Sequence, residues 1–191
     1  MRLIFDSGML RQSKENTSPW LQRLSELIDA SNRQVRQVLT DLRPPLLDEL
    51  GLVAALDNEI RQRRALHPDV AIAFDPDNAS SIRWPADVEY AAFMVAREAA
   101  NNALQHGEPR NITIHLSGDS GELLLSVSDD GAGMQADEVA SPTSKVGHLG
   151  LVGMRERSFA IGAALDISSV IGCGTTIVLR WKDSDEPPVS D

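Results

Sequence analysis

Apolar residues recur every three to four positions in four stretches of the chain, a spacing that predicts amphipathic helices. The first helix ends at Pro44-Pro45, because proline cannot continue a helix. Pro85 suits the first position of the third helix, and Gly107 terminates it. The predicted helices cover residues 20–43, 52–66, 85–106 and 149–161.

Short runs of alternating apolar and polar residues between these helices predict β-strands at residues 70–74, 112–116, 123–127, 165–170 and 175–181. A turn from Gly118 to Gly121 joins two of the runs into a hairpin. Helices mixed with hairpin-connected strands predict an α+β fold. We expect a two-layer α/β sandwich in which helices cover one face of a mixed, mostly antiparallel sheet.

Two segments lack any usable period. Residues 135–148 form a loop whose length in a compact domain is typical of a functional or a disordered segment, and we interpret it as a candidate lid. The polar tail at residues 184–191 is predicted to be disordered.

The charge balance limits the partners that the chain can bind. Its 191 residues include 18 Lys and Arg against 28 Asp and Glu, a formal net charge of −10. This acidity, without a run of basic residues, argues against nucleic acid and anionic membranes as partners. Hydrophobic residues make up 42% of the chain, enough for an ordinary aliphatic core.

Cysteine usage and hydropathy indicate the compartment. Cys173 is the sole cysteine, which excludes an internal disulfide framework and a cysteine-ligated metal site. The sequence contains neither an export signal nor an apolar stretch of membrane-spanning length. We therefore expect a cytoplasmic location without membrane contact for this segment, including where a full-length parent is anchored in a membrane.

Glu98, Asn102 and His106 are spaced so that they share one face of the third helix. Such a polar stripe is found on any solvent-facing helix, so by itself it leaves a functional and a plain surface interpretation open. The segments that follow this stripe in the sequence favour the functional interpretation.

Three glycine-containing segments follow the polar stripe. Asp129-Asp130-Gly131-Ala132-Gly133 comes directly after a predicted strand, Gly147–Gly153 leads into a helix, and Gly172-Cys173-Gly174-Thr175 is a turn between strands. Each one alone is more typical of an ordinary turn or helix entry than of a ligand site. Neither a P-loop nor a dinucleotide-binding GxGxxG motif accounts for these glycines.

Taken in order, the four segments resemble the ATP-binding domain shared by gyrase, the Hsp90 chaperone, histidine kinases and MutL. The resemblance covers residues 52–182 and, as a set of four ordered motifs, is highly specific. The stretches 41–52 (DLRPPLLDELGL) and 150–157 (GLVGMRER) are similar to the sensor histidine kinase subfamily of nitrate sensors and the lipid-desaturase thermosensor.

The resemblance implies a role for each motif residue, with ATP and Mg²⁺ as cofactors. Asp129 would read the adenine amine, backed by Thr175, and Asn102 would bind the metal. Glu98 would orient or deprotonate the phosphate acceptor. The remaining residues implied in nucleotide binding are His106 near the phosphates and Gly131, Gly133, Gly147, Gly150, Leu151 and Gly153 along the chain.

The acceptor histidine of this subfamily lies on a first helix, whereas His67, His106, His115 and His148 all follow the Pro-Pro pair. We therefore expect an acceptor upstream of Met1, so that this chain binds ATP without autophosphorylating. The predicted parts are residues 1–50, a partial dimerisation and phosphoacceptor hairpin, residues 51–183, the ATP-binding catalytic domain, and residues 184–191, the tail.

The implied reaction is transfer of the ATP γ-phosphoryl group to a histidine on an acceptor helix of the parent or of a partner chain, and from there to a response regulator. A homodimer is expected for the full-length form. Two alternatives remain open: an ATP-binding regulatory module without kinase chemistry, and an anti-sigma-type serine kinase on the same fold.

Overall fold

Five strands form one sheet in the computed structural model, which describes residues 44–135 and 149–183. In chain order the strands are β1 (Ala71–Asp75), β2 (Asn111–Gly118), β3 (Glu122–Asp129), β4 (Ala164–Val170) and β5 (Gly174–Lys182). Their order across the sheet is β1, β2, β3, β5, β4. Strand β1 is parallel to β2 and the other neighbouring pairs are antiparallel, which confirms the predicted mixed sheet.

In the described part of the chain, three α-helices accompany the sheet: α1 (Pro45–Leu66), α2 (Ala86–Asn102) and α3 (Leu149–Ala160). A 3₁₀ turn spans Ala79–Ser81, and a π-helical turn, Ala103–Gly107, continues α2 directly. Helix α2 packs between α1 and α3 and also contacts β3 and β5. The helices therefore form one layer, and the predicted two-layer α+β sandwich is confirmed.

Within residues 44–135 and 149–183 the helices cover one face of the sheet, and alternation along the strands explains which face that is. The side chains of Ile112, Ile114 and Leu116 in β2 are buried in the core. Those of Leu123, Leu125 and Val127 in β3 are buried there as well. Successive side chains of a strand point to opposite faces, so the intervening residues face away from the helices. These are mostly small and polar: Thr113, Ser126, Ser128, Ser168 and Thr176.

Helix α1 begins earlier than the sequence pattern predicts, at Pro45 instead of Leu52. Proline is accommodated in the first turn of a helix, where no backbone N–H is needed, so Pro45 starts a helix here. Gly51 then interrupts it with φ 83°, a left-handed conformation that glycine adopts without steric cost. The short segment before this kink carries Leu47, which is fully buried in the core.

Several predictions concern residues outside the described ones: the helix at 20–43, the candidate lid at 135–148, of which only residue 135 is described, and the tail at 184–191. The described residues belong to one compact unit, Pro44–Asp191. The division into a partial dimerisation and phosphoacceptor hairpin (1–50), a catalytic domain (51–183) and a tail (184–191) stays a prediction. Among the described helices, none has the length and apolar character needed to cross a membrane.

Candidate functional site

Asp129 is the last residue of β3 and is half-buried. Its Oδ1 accepts a hydrogen bond from the Gly131 N–H at 2.8 Å, and the backbone N–H of Thr175, its partner in β5, also donates to the carboxyl group. Burial raises the pKa of Asp129, and these two backbone donors offset only part of the increase. The result is an oriented acceptor at the end of a strand.

The loop after Asp129 lies directly against the π-helical turn that follows α2. The Ala132 N–H donates to the carbonyl oxygen of Gly107 at 2.8 Å, and a Cβ added at Gly131 would overlap that same oxygen. A Cβ added at Gly107 would lie 3.5 Å from Oδ1 of Asp129. Two motifs that are distant in the sequence, the end of the polar stripe and the aspartate-glycine segment, therefore meet here.

Glu98 and Asn102 lie one turn apart on α2 and are both half-buried. A Cβ added at Gly150, in the first turn of α3, would overlap Oε1 of Glu98 and lie 3.2 Å from Nδ2 of Asn102. The start of α3 therefore packs on these two polar side chains. The plain solvent-stripe interpretation does not hold for them.

The predicted stripe does not continue as a straight α-helical line to His106. Residues Ala103–Gly107 form a π-helical turn, whose wider i→i+5 winding changes the direction in which its side chains project. His106 is exposed. Its predicted place near the phosphates stays a prediction.

The other predicted glycine-segment residues differ in their surroundings. Leu151 is buried in the hydrophobic core, so its side chain packs between helix and sheet. The atoms nearest to a Cβ added at Gly153 belong to Arg157, with Nη1 at 2.8 Å. Gly133 lies beside the backbone of Val170, and Gly147 is outside the described residues. Their roles toward a nucleotide remain predictions.

Asp130 is a site residue that the sequence pattern missed. Its exposed carboxylate accepts hydrogen bonds from the backbone N–H groups of Arg110 and Asn111, both at 2.8 Å, and from the Asn111 side chain at 2.7 Å. These bonds, above all the one from the Asn111 side chain, lower the pKa of Asp130. Asp130 thus fastens the loop after β3 to the start of β2, and no local motif could have revealed it.

The donor chemistry of these residues fits the expected cofactors. The Asn102 amide oxygen and the Glu98 carboxylate are hard oxygen donors, the kind that Mg²⁺ prefers. Within residues 44–135 and 149–183, no group of three or more His, Cys, Asp or Glu side chains could hold a metal ion. A Mg²⁺ at Asn102 would complete its coordination with phosphate and water oxygens.

A family model described as histidine kinase-, DNA gyrase B- and HSP90-like ATPase matches residues 87–185. Among curated relatives, an uncharacterized sensor-like histidine kinase of Chloroflexus aurantiacus is 28% identical over 94% of this chain and 30% of its own length. The histidine-protein kinase/phosphatase DegS of Bacillus subtilis is 32% identical over 72% of this chain and 36% of its own length. The chain spans 30–43% of the length of four such relatives.

Solved structures show the same fold. The histidine kinase domain of a blue-light activated kinase from Erythrobacter litoralis matches with a TM-score of 0.52 and 22% identity, covering 67% of this chain and 60% of that domain. The ATP-binding domain of PrrB from Mycobacterium tuberculosis matches with a TM-score of 0.51 and 18% identity, covering 69% of this chain and 93% of that domain. With a family match over residues 87–185 and this fold, the chain belongs to the family of histidine kinase-, DNA gyrase B- and HSP90-like ATPases.

Proposed function

We propose that this chain is the ATP-binding catalytic region of a two-component sensor histidine kinase. The observation that carries the proposal is the convergence around Asp129: its carboxylate is held by the Gly131 and Thr175 N–H groups beside the end of the helical segment that carries Glu98 and Asn102. The family match supports ATP as the ligand, and the names of the relatives support histidine as the acceptor.

Asp129 would select the purine base. An ionised carboxylate accepts a hydrogen bond from the exocyclic amine of adenine, whereas guanine presents a carbonyl oxygen at that position and is repelled. The two backbone donors hold the carboxylate in place before the ligand arrives, so binding costs little further ordering. Thr175 backs this contact from the neighbouring strand.

Asn102 and Glu98 would act at the triphosphate end. Mg²⁺, when bound at Asn102, neutralises phosphate charge, and phosphoryl transfer needs mainly such neutralisation together with positioning. Glu98 would orient or deprotonate the acceptor imidazole. The start of α3 packs on both side chains and so limits their conformations.

The partners follow from the same proposal. The acceptor histidine would come from the parent or from a partner chain, and the response regulator would receive the phosphoryl group. A full-length form would be a homodimer, with this segment in the cytoplasm even where the parent is anchored in a membrane. The related kinases are more than twice as long as this chain, so a full-length kinase of that size could include an acceptor helix and a dimerisation region.

Incubation with labelled ATP, Mg²⁺ and a separate acceptor helix from a related kinase tests the reaction. We expect transfer with the wild-type chain, and a loss of transfer on the order of 100-fold or more in Glu98→Gln, because general acid–base groups contribute about 10²–10⁴. ATP affinity, measured by calorimetry, should stay within about threefold.

Wild-type protein that binds ATP and transfers nothing to any acceptor histidine would contradict the kinase assignment and favour the regulatory-module alternative. Transfer to a serine of a partner protein would favour the anti-sigma-type alternative. Full transfer activity in Glu98→Gln would remove the role given to this residue alone.

A further inference from the structure

Ser169, on β4, makes three hydrogen bonds that join its strand to two other segments of the chain. Its Oγ accepts a hydrogen bond from the Met134 N–H at 2.7 Å and donates to the Gly174 carbonyl oxygen at 3.1 Å. It also shares a hydrogen bond of 2.9 Å with Oγ1 of Thr175. The loop after β3, the end of β4 and the start of β5 therefore meet at one hydroxyl group.

The backbones of these segments interlock around that hydroxyl. The Gly172 N–H donates to the Ala132 carbonyl oxygen at 2.7 Å. A Cβ added at Gly133 would lie 2.7 Å from the carbonyl carbon of Val170, closer than a side chain can approach. The loop and the β4–β5 turn consequently cannot shift independently as long as these bonds persist. We refer to residues 131–134 and 169–175 as the clasp.

The clasp leads directly to the carboxylate that would read the base. Thr175, whose hydroxyl is bonded to Ser169, donates its backbone N–H to Asp129. Gly131, at the other end of the clasp, donates its N–H to Oδ1 of the same carboxylate. Both donors that orient Asp129 are thus in segments that Ser169 joins.

We propose that Ser169 is a positioning residue for base recognition: it sets the geometry of the Asp129–Thr175 pair by tying the two segments that hold it. The inference rests on the proposed ATP-binding function. In this proposal the Ser169 hydroxyl contributes to selectivity for adenine indirectly, through Asp129 and Thr175, without contacting the nucleotide.

Calorimetric affinities for ATP and for inosine triphosphate test the proposal in the full chain. Inosine triphosphate carries a carbonyl oxygen where ATP has its amine, so the ratio of the two affinities reports the Asp129 contact. In Ser169→Ala we expect ATP affinity to fall about tenfold, since the half-buried Met134 N–H loses its partner, and the preference for ATP over inosine triphosphate to fall by about the same factor. Ser169→Thr, which keeps the hydroxyl, should retain the wild-type ratio.

Ser168→Ala is the matched control, because Ser168 is the neighbouring serine on the uncovered face of the sheet, opposite Thr176. It should change neither affinity. Thermal melting accompanies each variant, and if Ser169→Ala does not fold, Ser169→Cys replaces it, with a weaker hydrogen-bonding group and an intermediate narrowing expected.

A folded Ser169→Ala protein that keeps the wild-type preference for ATP would overturn the proposal, as would an equal loss in Ser168→Ala. A wild-type chain that binds neither nucleotide would overturn the proposed function and with it this inference. The two failures are therefore distinguished by the wild-type measurement.

Discussion

At the scale of single residues, Asp129 and Asp130 show how neighbouring carboxyl groups acquire opposite properties. Asp129 is half-buried and its pKa is raised by desolvation, while Asp130 is exposed and its pKa is lowered by hydrogen bonds from the Asn111 side chain and nearby backbone. The half-buried Asp129 is suited to ligand recognition, which needs a hydrogen-bond acceptor shielded from bulk water. The exposed Asp130 is suited to holding the loop after β3 in place.

We expect Asp129→Asn to weaken ATP binding on the order of 100-fold, because the ionised acceptor of the adenine amine is replaced by a neutral amide. Calorimetry of wild-type and variant protein measures the loss. Equal affinity in the two proteins would remove the adenine assignment.

The same substitution should stabilise the unliganded protein at neutral pH. The folded pKa of Asp129 is raised, so the stability contributed by its protonated form is present below the unfolded pKa, about 3.9, and is lost as the pH rises through the folded pKa. Asparagine avoids this cost. The melting temperature should therefore rise at pH 7, and the gain should vanish as the pH falls to the unfolded pKa.

Asp130→Asn is the control of opposite sign. Its folded pKa is lowered, so its contribution to stability is present above the unfolded pKa and is lost as the pH falls from there through the folded pKa. The variant should melt lower than wild type at pH 7. A rise in melting temperature in both variants would show that removal of net negative charge, and not burial at Asp129, is responsible.

At the scale of elements, the packing of α3 on α2 determines where Glu98 and Asn102 lie. Gly150 permits the close approach, since a Cβ there would overlap Oε1 of Glu98 and lie 3.0 Å from its Cδ. Gly153, one turn later on the same helix, faces the guanidinium end of Arg157, a side chain that can move at little cost. The two glycines thus share a helix and differ in their neighbours.

This difference predicts opposite effects of the same substitution. Gly153→Ala should increase the free energy of unfolding by about 0.5–1 kcal/mol, because alanine favours the helix and only Arg157 has to shift. Gly150→Ala should lower it by roughly 1–3 kcal/mol through overpacking, and should also reduce phosphoryl transfer by displacing Glu98. Denaturant unfolding measures both. A stabilised Gly150→Ala protein would contradict the packing described for α3 on α2.

At the scale of the whole molecule, stability comes from the covered face of the sheet. Leu125 in the central strand β3 is 1% exposed and lies opposite Leu179 of β5, which is fully buried. Its neighbour Ser126 faces the other side of the sheet, away from the helices. Substitutions at these two adjacent positions therefore test the packing of the core and the uncovered face of the sheet independently.

We expect Leu125→Ala to lower the free energy of unfolding by about 2–5 kcal/mol, since it leaves a cavity in the core. Ser126→Ala should change it by less than about 0.5 kcal/mol. Chemical denaturation of both variants is the measurement. Similar losses in the two would show that the uncovered face is packed against something in the native protein.

The fold was largely predictable because it depends on local periods. Strands β2 and β3 alternate strictly, and α2 carries an apolar stripe, so each element and its buried face follow from a short window of sequence. The start of α1 could not be predicted in this way, because a proline such as Pro45 can either end one helix or begin another. Only the burial of Leu47 in the core shows that a helix begins here.

The sequence by itself determined the order of the elements and the α+β class, since both depend on residue type and spacing within short segments, and the resemblance of its ordered motifs pointed to Glu98, Asn102, Asp129 and Thr175. The tertiary structure decided which of these groups meet. Gly107 beside Asp129, Gly150 on Glu98, Asp130 on Asn111 and the clasp at Ser169 each join segments that are distant along the chain. Such contacts depend on strand register and helix packing, which the folded chain sets as a whole.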